Sequence, residues 1–317
     1  MEQERDFRFD NLRLILIFFV VFAHFLELFN NEITLSIYKV IYMFHMPAFI
    51  FLTGRFAKFD IRKILKRLLI PYIIFQTLFE LFSSVFIKGA DISIQYTTPY
   101  WILWFLLAII VYYLLIPTLP KKDSKFKYVI ISVSLLVGLL VGFEKTIGYY
   151  FSLSRIFVFF PMFLIGYYSK EISQDIEKII KRPKLVGLIA SVIMIVAITT
   201  ILLLIDVPKH VLYGSYPYSS NVDSIWIRIL FYIVSLSWII FLCLIIPNKK
   251  VPFVSVLGRD TMLIYLLHGF FIKYLESLDM FKFNPFINVL ICLALSIGII
   301  VLFGNKFVVR AFARLTK

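Results

Sequence analysis

The first apolar stretch of the chain, Leu14 to Ala23, is closed on both sides by ionisable groups, Asp10 and Arg13 before it and His24 and Glu27 after it. Arg13 and His24 are eleven positions apart, roughly 16 Å along an α-helix. A bilayer core is about 30 Å thick, so an Arg13 near one face places His24 near the midplane. Glu27 follows three positions later and shares the helix face of His24. Ionisable side chains at that depth are costly, and they mark a site. A neutral imidazole can take the proton of a hydroxyl as it attacks an acyl carbon. A neighbouring carboxylate then orients the ring and stabilises the imidazolium. His24 is read as that general base and Glu27 as its orienting acid. The plainer alternative is a polar cluster that packs the first helix against its neighbours.

Other chemistry-bearing residues are scattered along the chain. His45 lies two positions before Pro47 in the apolar run Tyr42–Gly54. There it either serves the helix kink expected at Pro47 or faces a cavity. Arg62, Lys63, Lys66 and Arg67 share one helix end before Ile70-Pro71-Tyr72. They suit the phosphates of a nucleotide-type donor, or anionic lipid at the inner membrane face. Ser154 and Arg155 open another apolar run, where Arg155 either snorkels or meets an anionic or oxyanionic group. His268 sits as deep in its run as His24 does in the first, and Arg228 is expected to snorkel. His210 is expected to be solvated, and Trp101 and Trp104 to anchor a helix at the interface, with Trp104 as a second candidate for a cavity wall. The sequence holds no Walker loop, dinucleotide fingerprint, nucleophile elbow or zincin motif, and no zinc spacing. No metal is expected.

These residues need a membrane scaffold, and the composition supplies one. The 317 residues are 61% hydrophobic, with a mean hydropathy of +0.91, well above a soluble domain. The expected fold is an all-α integral membrane protein, one domain over 1–317, with ten transmembrane helices. Their approximate limits are 12–30, 38–54, 68–88, 100–118, 127–143, 149–169, 185–206, 224–247, 254–275 and 286–305. Lys and Arg concentrate in the N-terminal stretch, in alternate connections and in the tail, including Arg5, Arg55, Lys122, Lys178, Lys249, Arg259 and Arg310. That asymmetry places both termini in the cytoplasm. It also accounts for the net charge of +14 without any nucleic-acid partner. Cys243 and Cys292 lie in apolar runs and suit buried small residues rather than a disulfide. The first run has no small-residue cleavage site after it and is expected to be retained. The longest outer connection, Val207–Asp223, carries Tyr213, Tyr216 and Tyr218. It suits an interfacial aromatic belt better than a sugar-binding surface.

Several of these stretches, taken in order, resemble the membrane acyltransferase-3 family. Within it they are similar to the branch of fucose-4-O-acetylase-like and intercellular-adhesin modification proteins. They are Phe9-Asp10-Asn11-Leu12-Arg13 with His24 and Glu27, Phe44-His45-Met46-Pro47 through Gly54, and Lys66-Arg67 through Pro71-Tyr72. Trp104-Phe105-Leu106, Ser154-Arg155 with Pro161 and Gly166-Tyr167, and Leu257-Gly258-Arg259-Asp260-Thr261 with His268 complete the series. The departures are Arg55 in place of an aromatic and Thr53 in place of the usual serine. The resemblance implies a ten-helix enzyme of the cell membrane, bacterial in character. It would carry an acyl group, usually acetyl, from cytosolic acyl-CoA to a hydroxyl of a surface, exported or lipid-linked glycan. Acetyl-CoA is the expected donor, with succinyl-CoA as the variant. Arg13 and His24 would be its essential pair, and polysaccharide synthase or export proteins are plausible partners. Arg155 is expected to serve the tetrahedral oxyanion or the acceptor, with His45 and His268 as further candidates. The competing functions are a glycan or small-solute exporter and a non-catalytic subunit of a polysaccharide synthesis complex.

Overall fold

The computed structural model describes residues 6–29, 31–87, 94–219, 224–251, 254, 257–258, 261–278 and 284–305. Arg5, Arg259, Asp260 and the basic tail from Lys306 lie outside them, as does the end of the connection Val207–Asp223. The described elements are helical: α1 (Arg8–Leu26), α2 (Glu32–Tyr42), α3 (His45–Arg55), α4 (Ile61–Ile64), α5 (Ile70–Phe86), α6 (Trp104–Leu115) and α7 (Phe126–Leu140). They continue with α8 (Leu153–Tyr167), α9 (Ser169–Ile179), α10 (Pro183–Leu204), α11 (Ile225–Ile245), α12 (Thr261–Leu278) and α13 (Pro285–Phe303). Among the described residues, nine helical stretches are long and apolar enough to cross a membrane. Backbone polar groups have no water partner in a bilayer, so helices satisfy them internally. The stretch expected at 254–275 corresponds to α12, which is not among the nine. His268, Lys273 and Glu276 dilute its apolar composition.

The chain divides into two compact units, one of residues 1–41, 70–96 and 245–317 and the other of 42–69 and 97–244. In the first, α1 is the central helix and packs along α12 and α13, while α12 also meets α5. Leu12, Leu16, Ile17, Val20 and Val21 are buried along it. Asn11 fixes its N-terminal end by donating to the carbonyls of Pro247 and Lys249, at 3.3 and 3.0 Å. Gly258 presses so closely on the carbonyl of Asp10 that any Cβ would collide with it. Phe79 of α5 stacks on Phe270 of α12 with ring centres 4.1 Å apart.

In the second unit, α3 lies against α8 through two glycines. A methyl on Gly54 would strike the carbonyl oxygen of Phe163, and one on Gly166 would strike that of Phe51. Close helix contact through small residues is the usual solution where lipid offers no hydrophobic drive. Pro161 sits inside α8 and leaves the carbonyl four residues earlier without its N–H. Phenols serve the flanking carbonyls: Tyr112 donates to Ile156 O and Tyr232 to Val158 O, both at 2.8 Å.

Three local expectations are corrected. The second apolar run breaks at Met43–Phe44, not at Pro47. Pro47 is the third residue of α3, where an N–H has no intrahelical partner to lose. The third run begins earlier than residue 68. Asp60 caps α4 by accepting from Lys63 N at 3.1 Å, and a π-helical turn, Leu65–Leu69, precedes α5. The basic connection after α8 folds into α9, where Asp175 accepts from Lys127 at 2.8 Å and from the Tyr128 hydroxyl at 2.7 Å.

Candidate functional site

In the first unit, α1 delivers His24 into the packed interior, 8% exposed. Glu27 follows at the helix terminus, where the chain still turns helically, and so stays on the same face. Its Oε2 is 2.8 Å from His24 Nδ1. An ionised carboxylate only accepts, so toward it Nδ1 carries the proton. The other carboxylate oxygen accepts from the Tyr38 hydroxyl of α2 at 2.6 Å. Glu27 is thus clamped between an imidazole and a phenol. From α12, His268 brings its ring centre within 5.6 Å of that of His24. It is fully buried, with Nδ1 3.1 Å from Ile264 O. The arrangement brings together two imidazoles, a carboxylate and a phenol.

Tyr38 was not a sequence candidate. No spacing rule links residues on different helices, and its only signal was a hydroxyl among apolar neighbours. Arg13 stands about three turns before His24 on α1, ion-paired to the buried Asp10 at 3.2 Å.

The second unit carries the remaining candidates. Arg62, Lys63, Lys66 and Arg67 are all exposed, whereas Ile64 and Leu68 between them are buried. The segment therefore shows one basic face and one apolar edge. Lys63 pairs with Asp60 at 3.0 Å, and Asp60 titrates below its usual value because of its hydrogen bonds to Lys63.

Arg155 is 9% exposed, so it does not snorkel. Its Nε donates to Tyr213 O and one terminal nitrogen to Ser215 Oγ, each at 3.3 Å. The guanidinium lies 5.1 Å from the ring centres of both Trp104 and Tyr149. Tyr42 packs on Tyr213 at 5.4 Å and on buried His45 at 4.5 Å. Ser154 Oγ donates to Gly214 O at 2.8 Å. Arg155 and His45 thus belong to one aromatic cluster, joined through Tyr42 and Tyr213. Trp104 stacks on Phe159 at 5.4 Å.

Two expectations change here. The connection from Val207 is not a belt of rings along the interface, because Tyr213 and Ser215 turn inward onto α8. Arg228 is buried rather than snorkelling. It donates to the carbonyls of Gly138 and Tyr216, both at 3.4 Å, and lies 4.8 Å from the Tyr218 ring centre. His210 is half-buried and packs on Tyr216 at 5.2 Å.

Comparison with known proteins supplies the family. Nodulation protein NolL of Sinorhizobium fredii (strain NBRC 101917 / NGR234) is 30% identical over 158 residues, 43% of this chain and 42% of that protein. The matched stretch thus spans less than half of that relative. No solved structure matches the chain. The acyltransferase domain that defines the acyltransferase-3 family matches residues 6–305, a range that takes in both units' candidate residues. This multi-pass membrane protein belongs to the acyltransferase-3 family.

Proposed function

We propose that the chain is an acyl-CoA-dependent O-acyltransferase. It moves an acetyl or similar short acyl group from a cytosolic donor to a hydroxyl of a surface or exported glycan. In this reading α12 is the tenth span, both termini are cytoplasmic, and the protein resides in a bacterial plasma membrane. The observation that carries the proposal is the clamp of Glu27 between His24 Nδ1 and the Tyr38 hydroxyl.

The chemistry follows from that clamp. His24 Nε2 takes the acceptor's proton as its oxygen attacks the thioester carbonyl. The C–O bond forms, a tetrahedral oxyanion collapses, and the C–S bond breaks. The coenzyme leaves as thiolate and recovers a proton from the imidazolium. Glu27 stabilises that imidazolium and holds the ring in the required tautomer. Arg62, Lys63, Lys66 and Arg67 take the donor's phosphates, with Arg13 as a further cation on the donor side. Arg155 and His45 serve the acceptor side.

The test is release of free thiol from acetyl-CoA by purified protein, with and without a cell-envelope glycan fraction. His24→Ala should lower glycan-dependent release by roughly 10²–10⁴-fold, the usual contribution of a general base, while leaving protein yield unchanged. Undiminished release in that variant would remove His24 from the mechanism.

A further inference from the structure

The cluster around Arg155 seats a guanidinium among aromatic rings, with no carboxylate paired to it among the described residues. Arg155 is nine-tenths buried, yet its hydrogen-bond partners are a backbone carbonyl and a serine hydroxyl. Among the described residues no carboxylate forms an ion pair with it. Glu144, in a nearby connection of the same unit, is exposed and accepts from its own neighbour Thr146 at 2.6 Å. A buried charge without a counter-ion is expensive. A guanidinium offers five N–H donors in a planar fork, and only two nitrogens are engaged here, both at the long end of hydrogen bonding.

The rings of the cluster are partly exposed. Tyr149 is 40% exposed and Tyr216 38%, with their rings 5.6 Å apart. Tyr42, Trp104 and Tyr213 are half-buried. Flat apolar faces around a few placed polar groups are the usual construction of a small-ligand site. The adjoining backbone is strained as well. Trp101, Phe151 and Ser152 take positive φ of 35°, 48° and 51°, a cost that proteins tend to place at functional sites. Ser152 Oγ, in the turn that starts α8, is buried with no hydrogen-bond partner. Among the described residues, a buried hydroxyl without a hydrogen-bond partner and a buried guanidinium without a carboxylate stand three positions apart in the chain.

We infer that this cluster is a recognition subsite for an acidic carbohydrate. A carboxylate or phosphate on the sugar pairs with the Arg155 fork, and the sugar's C–H face rests on the surrounding rings. The inference rests on the acyl-transfer reading only for naming this carbohydrate the acceptor. It predicts that the acyl group goes to an acidic glycan rather than a neutral one.

The experiment measures calorimetric binding to the full-length protein in lipid nanodiscs, with no donor present. The probes are trigalacturonic acid beside its carboxyl-reduced form, and maltotriose phosphate beside maltotriose. At least one acidic probe should bind ten-fold or more tighter than its neutral partner, and the arm that does so separates carboxylate from phosphate. Arg155→Gln should erase that preference. Arg155→Lys, which keeps the charge but loses the fork, should retain part of it. Tyr149→Ala, at the exposed rim, should weaken acidic and neutral probes alike and serves if Arg155→Gln does not fold. Equal affinity in both pairs, or a preference that survives Arg155→Gln, overturns the inference. Thiol release on the same preparation is read separately. Acidic preference without thiol release would keep the subsite and reject the transferase.

Discussion

Tyr38 shares the Glu27 carboxylate with His24, so removing its hydroxyl probes the clamp without touching the base. A hydrogen bond to a charged group contributes about 1.5–3 kcal/mol, and each 1.36 kcal/mol of barrier is about ten-fold in rate. Tyr38→Phe should therefore lower kcat by roughly ten-fold or more and leave KM for donor and acceptor unchanged, as steady-state kinetics would show. An equal loss in KM would mean that Tyr38 binds substrate instead. His24 and Glu27 were legible in the sequence because three positions on one helix fix a shared face. Tyr38 and His268 meet them from other helices, and only packing joins those. The companions of Arg155 were hidden for the same reason. Tyr42, Tyr149, Tyr213 and Ser215 come from three separate stretches of chain, and a lone arginine in an apolar run reads as snorkelling.

Among the elements, the α3–α8 contact leaves no room for a methyl on either glycine. Gly54→Ala, like Gly166→Ala, drives a methyl into a facing backbone carbonyl that cannot turn aside. Either variant should fail to accumulate as monodisperse protein in detergent chromatography, whereas Gly298→Ala, which meets nothing within 4 Å, should behave as wild type. Beyond the apolar spans, α9 is anchored by a charged junction. Hydrogen bonds from Lys127, Tyr128 and Lys178 hold the Asp175 carboxyl well below the usual carboxylate range. A depressed folded-state pKa stabilises above the unfolded value of about 3.9 and is lost as pH falls through the folded value. Melting curves of wild type and Asp175→Asn should differ most near neutral pH and converge in strong acid. Hydropathy revealed the long helices, since twenty apolar residues have few other uses. It could not reveal α9, whose charges read as a plain inner connection, nor the helix break ahead of His45, which no proline or glycine marks.

On the scale of the molecule, the path of the chain matters more than any single contact. It leaves the first unit after Ile41, re-enters at Ile70, departs again after Tyr96 and returns at Ile245. The second unit is made from two stretches, and its last residue, Leu244, precedes the whole of the α12–α13 pair. This interleaving was not visible in the sequence, where ten spans in a row suggest a single bundle. It also sets a timetable for synthesis. His268 follows His24 by 244 positions, roughly 12–50 s of translation at ordinary elongation rates. Throughout that interval α1 waits in the membrane with Asp10, His24 and Glu27 but without the helices that bury them. Nascent chains stalled before Thr261 should leave a cysteine placed at Val21 open to a lipid-phase maleimide, and completed chains should protect it. Only α2, which brings Tyr38 to Glu27, arrives early, so shielding of α1 by the insertion machinery until α12 is made should raise the yield of folded protein.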